Sequence, residues 1–356
     1  MNITSQSLTD FCVAALRQAG LSPSDALATA TALVTTDAMG VFTHGTKLLD
    51  GYLKRLAGGG YQAGAQPLIE REGPGWAVID GQSALGQVGC QFALKVGLDK
   101  ARRVGIAYVG LRNTGHIGAA GYYATLAARA GFLAMVTGND MPSVAAPGSR
   151  QAVFGSNPIA YGVPTGDDYP VLLDMATAAV AGGKVYAAHT RGEPIPDTWL
   201  IGPDGRPTTD GSLYPQHASL APMAAHKGYG LGLWAEFLSA ILPGGLITWE
   251  VGSWIFDPLD RPSQHNAGFI LMDVAAIAPA TPPERTFAAR VRQLIDEIHS
   301  APTADGVARV LLPGEREWHN FRQAQTAGIN LPADVVEKLQ AIASRTGLGF
   351  HSPERK

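Results

Sequence analysis

The sequence predicts a mixed α/β (α+β) fold, and three observations carry that reading. Both ends of the chain show apolar residues at helical spacing, so terminal helices are expected to pack together. The middle alternates short strand-like and helix-like runs. No internal repeat interrupts this pattern, so a solenoid is not expected.

Leu8, Phe11, Cys12, Ala15 and Leu16 fall on one helical face that stops at Gly20. Ser22-Pro23 supplies an N-cap and a first-turn proline for a second helix through Leu33-Val34. A third is expected from Gly45 to Ala57, with Tyr52 inward, ended by Gly58-Gly59-Gly60. Strands are then expected at 76–80, 106–111, 132–137, 159–164, 171–174 and 267–274. Helices are expected at 87–103, 118–130, 228–242, 283–298, 315–327 and 332–345. Residues 187–226 are rich in Pro, Gly and Asp and read as short strands and loops.

The bulk numbers narrow the function. At 356 residues, the chain is long enough for two domains with a sizeable core. Its net charge is −3 with no basic block, which disfavours nucleic acid and anionic membrane as partners. Cys12 and Cys90, the two cysteines, sit in helix-like apolar patterns, so a reducing compartment fits better than a disulfide framework. The first twenty residues lack a secretory pattern, and no apolar run approaches the ~20 residues of a membrane span. A cytoplasmic protein is expected.

Several chemistries are disfavoured by what the motifs lack. Gly115, Gly118 and Gly121 have the wrong spacing for a dinucleotide fingerprint, and Gly230-Leu231-Gly232 lies within a helix-like run. Gly182-Gly183-Lys184 lacks the upstream glycine of a phosphate loop. No serine-hydrolase elbow and no Cys/His cluster at metal-ligand spacing is present, so no metal is expected.

Three polar clusters remain. Asp37 to Gly45 ends a helix and sets the hydroxyl of Thr43 beside His44. His116 sits between glycines just before a helix start, where free N–H groups favour anions and lower an imidazolium's pKa. Histidine titrates near working pH, so both suit proton exchange with a substrate. The third cluster joins Asp174-Met175, at a strand end, to Lys227, at a helix start. Each also has an ordinary use as a helix cap or a surface charge.

Taken together, the segments resemble the malate/L-lactate dehydrogenase family, which also holds ureidoglycolate dehydrogenase, diketogulonate reductase and cyclic-imine reductases. Asp37–Gly45 is similar to the family's Asp-x-x-Gly-x-x-Ser/Thr-His-Gly, and Gly115–Tyr122 to its Gly-His-x-Gly-x-x-x-Tyr. Phe154–Ala160, Leu173–Ala176, Pro196–Trp199, Lys227–Gly230 and Pro313–Glu315 follow in the family's order, so the likeness spans roughly residues 5–330.

The resemblance implies an oxidoreductase using NAD or NADP, with NAD placed ahead, whose cofactor domain is a mostly antiparallel sheet rather than a Rossmann fold. It implies a helical N-terminal and catalytic segment over 1–118, the cofactor domain over 119–289, and C-terminal helices over 290–356 that return to the first segment. It also implies a homodimer with the site near the subunit interface. His44 and His116 become the acid/base pair. Thr43, Lys47 and Asp140 become substrate-binding residues. Asn157, Pro158, Asp174, Met175, Lys227, Gly314 and Glu315 become cofactor-binding residues.

Two departures bear on the substrate, expected to be a small 2-oxo or 2-hydroxy acid. Leu48, beside Lys47, stands where relatives on 2-hydroxy acids usually have an arginine suited to forking a carboxylate. Asp140 stands where relatives often have a small neutral residue; its charge would repel an acidic substrate or hold a cationic imine. Reduction of cyclic imino acids is therefore the second expectation, and a solute-binding protein is the reading from outside enzymes.

Overall fold

The chain begins and ends in the same helical body. In the computed structural model, which describes residues 1–350, Ser22 caps the helix Pro23–Ala38 by accepting the Asp25 N–H at 3.1 Å. Thr4 does the same for Ser5–Gln18. The predicted face of that first helix is the buried one, with Leu8, Cys12 and Leu16 inaccessible to solvent. The C-terminal helix Ala333–Thr346 packs against it and against Leu49–Gly58, and Val335, Leu339 and Ile342 join the same core. Asn2-Ile3 pairs antiparallel with Ile329-Asn330, which ties the two ends together.

A seven-stranded sheet forms the second core. Its order is Leu68–Gly73, Trp76–Asp80, Ile106–Thr114, His265–Asp273, Phe132–Gly138, Ile159–Val163 and Val171–Met175. One neighbouring pair, Trp76–Asp80 with Ile106–Thr114, runs parallel, and the other five pairs are antiparallel. The sheet is therefore mostly antiparallel, as the resemblance implied. Gly86–Val104 and Ala120–Arg129 cover it. Strand His265–Asp273, distant in sequence, takes the centre and buries Ala267, Phe269 and Leu271 completely. Each large side chain so buried contributes roughly 1.5–3 kcal/mol.

A smaller sheet stands to one side, ordered Pro207-Thr208, Leu200-Ile201, Ser219-Leu220, Val144-Ala145 and Ala152–Phe154. It packs over its own core of Val144, Phe154, Val185 and Leu200.

Four elements differ from expectation. Leu68–Gly73 (LIEREG) is an edge strand whose polar residues face solvent, so it carries no alternation. A helix not expected, Gly182–Thr190, runs into the start of the 187–226 segment read as short strands and loops; its small buried face of Val185 and Ala188 left little periodic signal. The third helix starts with a 3₁₀ turn, Thr46–Leu48, before Leu49–Gly58. The long helix near 228–242 runs His226–Glu236 and continues as a π turn through Ile241. Among the described residues, no helix is long and apolar enough to cross a membrane.

Candidate active site

A cleft of about 1730 Å³ opens where the strands Ile106–Thr114, Phe132–Gly138 and Val171–Met175 end beside the smaller sheet. That exceeds the ~300–1,000 Å³ of an ordinary small-ligand site. Thr43, His44, Lys47, His116, Asp140 and Asp174 all line it.

The His44 turn is fastened by Asp37. Its Oδ2 accepts the Thr46 N–H at 3.0 Å, and the Thr46 hydroxyl donates to the same oxygen. Gly45 lies against the other oxygen so closely that a Cβ there would fall 1.8 Å from Oδ1. Any side chain at 45 would push the turn off its clamp. Burial raises the Asp37 carboxyl to about 7 despite the Thr46 bonds, against an ordinary value of 3.8.

The folded chain therefore holds a proton that the unfolded chain releases, and Asp37 weakens the fold progressively as pH rises from about 4 to about 7. Asp37→Asn keeps an acceptor for Thr46 and never ionises. It is expected to gain stability relative to the parent across that window, measured by urea unfolding at pH 5 and pH 8. A stability difference that stays constant with pH would refute this account.

His44 and His116 come from segments 72 positions apart in sequence, yet their rings stack with centroids 5.9 Å apart. His44 Nδ1 is 3.0 Å from the Thr43 hydroxyl. Burial lowers the His44 pKa, partly opposed by the charge of Asp140. His116 Nδ1 is 2.8 Å from the hydroxyl of Tyr52, a fully buried residue that also accepts from Gln87. Burial and the neighbouring His265 and His44 push His116 down to about 3, against the pull of Asp140. Both rings are thus neutral at pH 7 before a ligand enters. Their Nε2 atoms have no hydrogen-bond partner among the described residues.

The indole of Trp254 stacks on His116 with centroids 4.8 Å apart. Arg55 holds the segment that carries it. This arginine is wholly buried and donates to the carbonyls of Ser253, Trp254, Asp257, Pro258 and Arg261 at 2.6–3.0 Å. A guanidinium has five N–H donors in a rigid fork, which suits this work.

Beyond His116 lies His265, 1% exposed, with its ring edge-on at 5.8 Å. Its Nε2 is 2.9 Å from Asp140 Oδ1, and its Nδ1 is 2.9 Å from the Ser263 hydroxyl. Asn157 is fully buried rather than on the cleft wall. Its side-chain oxygen accepts the Asp140 N–H, and its NH₂ donates to Glu236 at 2.6 Å.

At the far end, Asp174 is open to the cleft but walled by protein elsewhere. The residue itself is exposed to the cleft, but the protein walls around it desolvate the carboxyl and raise it to about 6, while its bond from the Gly121 N–H at 2.8 Å works the other way. Met175, Pro158 and Gly314 also face the cleft. Lys227, exposed on the helix His226–Glu236, and Glu315, paired with Arg309 and His299, are outside its lining. Lys47 pairs with Asp334 at 2.6 Å on the rim.

Sequence reasoning placed Tyr52 inward on its helix but gave it no role beside His116. It missed Arg55, Trp254 and His265 altogether. Arg55 sits in an amphipathic helix where a charged residue normally faces water. His265 precedes the expected strand, at a register break that turns it toward the site. Neither position shows a local pattern.

These elements define an α/β protein with a two-histidine cleft beside a mostly antiparallel sheet. The malate/L-lactate dehydrogenase family model matches residues 3–340, and the chain belongs to that family. It is an oxidoreductase of the dehydrogenase class. It is 34% identical over 355 residues to a malate dehydrogenase from Pyrococcus horikoshii, covering 98% of this chain and 96% of that one. Ureidoglycolate dehydrogenase (NAD(+)) from Escherichia coli is 32% identical, with 95% of each chain covered. The solved structure of Δ1-piperideine-2-carboxylate reductase from Pseudomonas syringae superposes with a TM-score of 0.84 at 29% identity, covering 96% of this chain and all of that one.

Proposed function

We propose that this chain transfers a hydride between a nicotinamide cofactor and a small 2-oxo or 2-hydroxy acid, with the acid/base step at His44 and His116. The observation that carries the reading is the stacked pair of neutral imidazoles on the wall of one deep cleft. A neutral ring with Nε2 uncommitted can take the hydroxyl proton of a 2-hydroxy acid and return it in the reverse direction. Tyr52 fixes the His116 ring from behind, and Trp254 fixes its plane.

The rest of the cleft fits a dinucleotide. Helix Ala120–Arg129 starts on the cleft, and its Gly121 N–H is taken by the Asp174 carboxylate at 2.8 Å, which sets that carboxylate at the helix start. A Cβ at Gly121 would strike Asp174, so that wall stays flat, with a carboxylate available to hydroxyl groups. When bound there, the nicotinamide supplies the hydride donor or acceptor. NAD is placed ahead of NADP. Support comes from the NAD(+) in the name of the ureidoglycolate relative.

The test is consumption of NADH and NADPH against a panel of 2-oxo acids and cyclic imino acids. Turnover of an oxo acid is the expected result. Activity confined to imines would move the proton transfer to nitrogen, the chemistry that the name of the piperideine-2-carboxylate relative suggests.

We also place a second copy of the chain on the face beside the cleft. Trp234, Phe237, Ile241 and Leu242 are 47–59% exposed along one helix, its π turn and the residue after it, and Trp249, Ile255 and Phe256, 61–65% exposed, stand at the cleft wall. Patches of this kind mark association surfaces. Sedimentation at micromolar concentration is expected to give twice the 37.2 kDa chain mass, and Phe256→Asp to shift it toward monomer. A parent that sediments as a monomer would remove the proposal.

A further inference from the structure

Asp140 presents an unpaired carboxylate oxygen to the same chamber as the two histidines. Both of its carboxylate hydrogen bonds fall on Oδ1: His265 Nε2 at 2.9 Å and the Met141 N–H at 2.7 Å. Oδ2 has no partner among the described residues, and the side chain is 29% exposed on the cleft wall. The hydrogen bonds behind it can be followed donor by donor. The His116 N–H donates to the Tyr61 hydroxyl at 3.1 Å, which can donate to Ser263 Oγ at 3.2 Å. Ser263 Oγ is in turn 2.9 Å from His265 Nδ1, and the other ring nitrogen, Nε2, meets Asp140 Oδ1.

These bonds hold the Asp140 carboxylate through Oδ1 and leave Oδ2 facing the chamber. Burial would raise its carboxyl, but the bond from His265 and the nearby imidazoles outweigh it and hold it below the usual range. Among the described residues, its ion-pair contact is with His265 and with no lysine or arginine. The Asp140 carboxylate therefore faces the acid/base pair with no lysine or arginine against it among the described residues.

We propose that Asp140 selects the substrate: Oδ2 receives a cationic nitrogen group on the 2-oxo or 2-hydroxy acid and rejects a second carboxylate. This rests on the dehydrogenase reading above and narrows it. A like charge brought against an ionised carboxylate is strongly disfavoured in such a chamber, whereas an ammonium or guanidinium completes the missing pair. The Asp140 N–H is held by Asn157, which is anchored on Glu236, so the carboxylate is fixed rather than swept aside by an incoming group.

The test compares kcat/KM for three 2-oxo acids built on a five-carbon chain that differ at the far end: 5-guanidino-2-oxopentanoate, 2-oxopentanoate and 2-oxoglutarate. The parent is expected to prefer them in that order. Asp140→Asn keeps the oxygen that His265 and Met141 bind. It should reduce the ratio of the guanidino acid to 2-oxoglutarate by about tenfold or more, with the cofactor KM unchanged. Asp140→Ser provides the same comparison should the first variant fold poorly. An unchanged ratio, an equal loss on all three acids, or a shift confined to the cofactor KM would overturn the assignment.

If the parent reduces none of the acids with either cofactor, the 2-oxo acid reading fails by itself. Thermal-shift binding of the guanidino acid to parent and variant then decides the charge selection: weaker binding to the variant supports it, and equal binding overturns it.

Discussion

Replacing His116 with alanine is expected to lower kcat by about 10²–10⁴-fold, the usual worth of a positioned general acid/base. His116 Nε2 is uncommitted, its Nδ1 is held by Tyr52, and its plane is set by Trp254. The cavity left by the ring borders an open cleft, so the fold should survive. Binding of the cofactor, measured by fluorescence quenching, should therefore stay within a few-fold of the parent. His44→Ala should also slow turnover, and the comparison distinguishes the two rings. The variant that loses the pH dependence of kcat identifies the histidine that exchanges the proton, and the other then orients the substrate. Near-normal turnover in both variants would remove acid/base chemistry from this pair.

The second large effect is expected far from any ligand. Arg55→Met should cost roughly 3–5 kcal/mol, because five carbonyls in the 253–261 segment lose a charged donor at once. The same segment carries Trp254, so kcat should fall as well, while Arg55→Lys should recover part of the stability with fewer donors. Urea midpoints and kcat on the same preparations give both readouts. A loss below about 1 kcal/mol would show that the segment holds itself in place without the guanidinium.

The two predictions draw on different kinds of information. His116 stands between glycines in a turn just before a helix, and that local setting is visible in the sequence. Arg55 lies in the pattern Leu53-Lys54-Arg55-Leu56, which a helical wheel places at the boundary of an exposed face. Only the return of residues 253–261 across that helix buries it. Asp140 is an intermediate case. Its charge was conspicuous at its position, but the hydrogen bond that commits Oδ1 and leaves Oδ2 open comes from His265, 125 positions away.

By itself the sequence determined most of the elements, their caps and the helical packing at the two ends, since helical spacing, Ser22-Pro23 and the terminal glycines act within a few residues. It also marked His44, His116 and Asp174 as candidates, because turns and element ends have local signatures. Tertiary structure alone decided that His265–Asp273 enters the middle of the sheet and that the two histidine turns meet in one cleft. It also decided that Lys227 and Glu315 lie outside that cleft. Strand pairing and ring stacking depend on contacts between segments remote along the chain, and no periodicity within either segment encodes them.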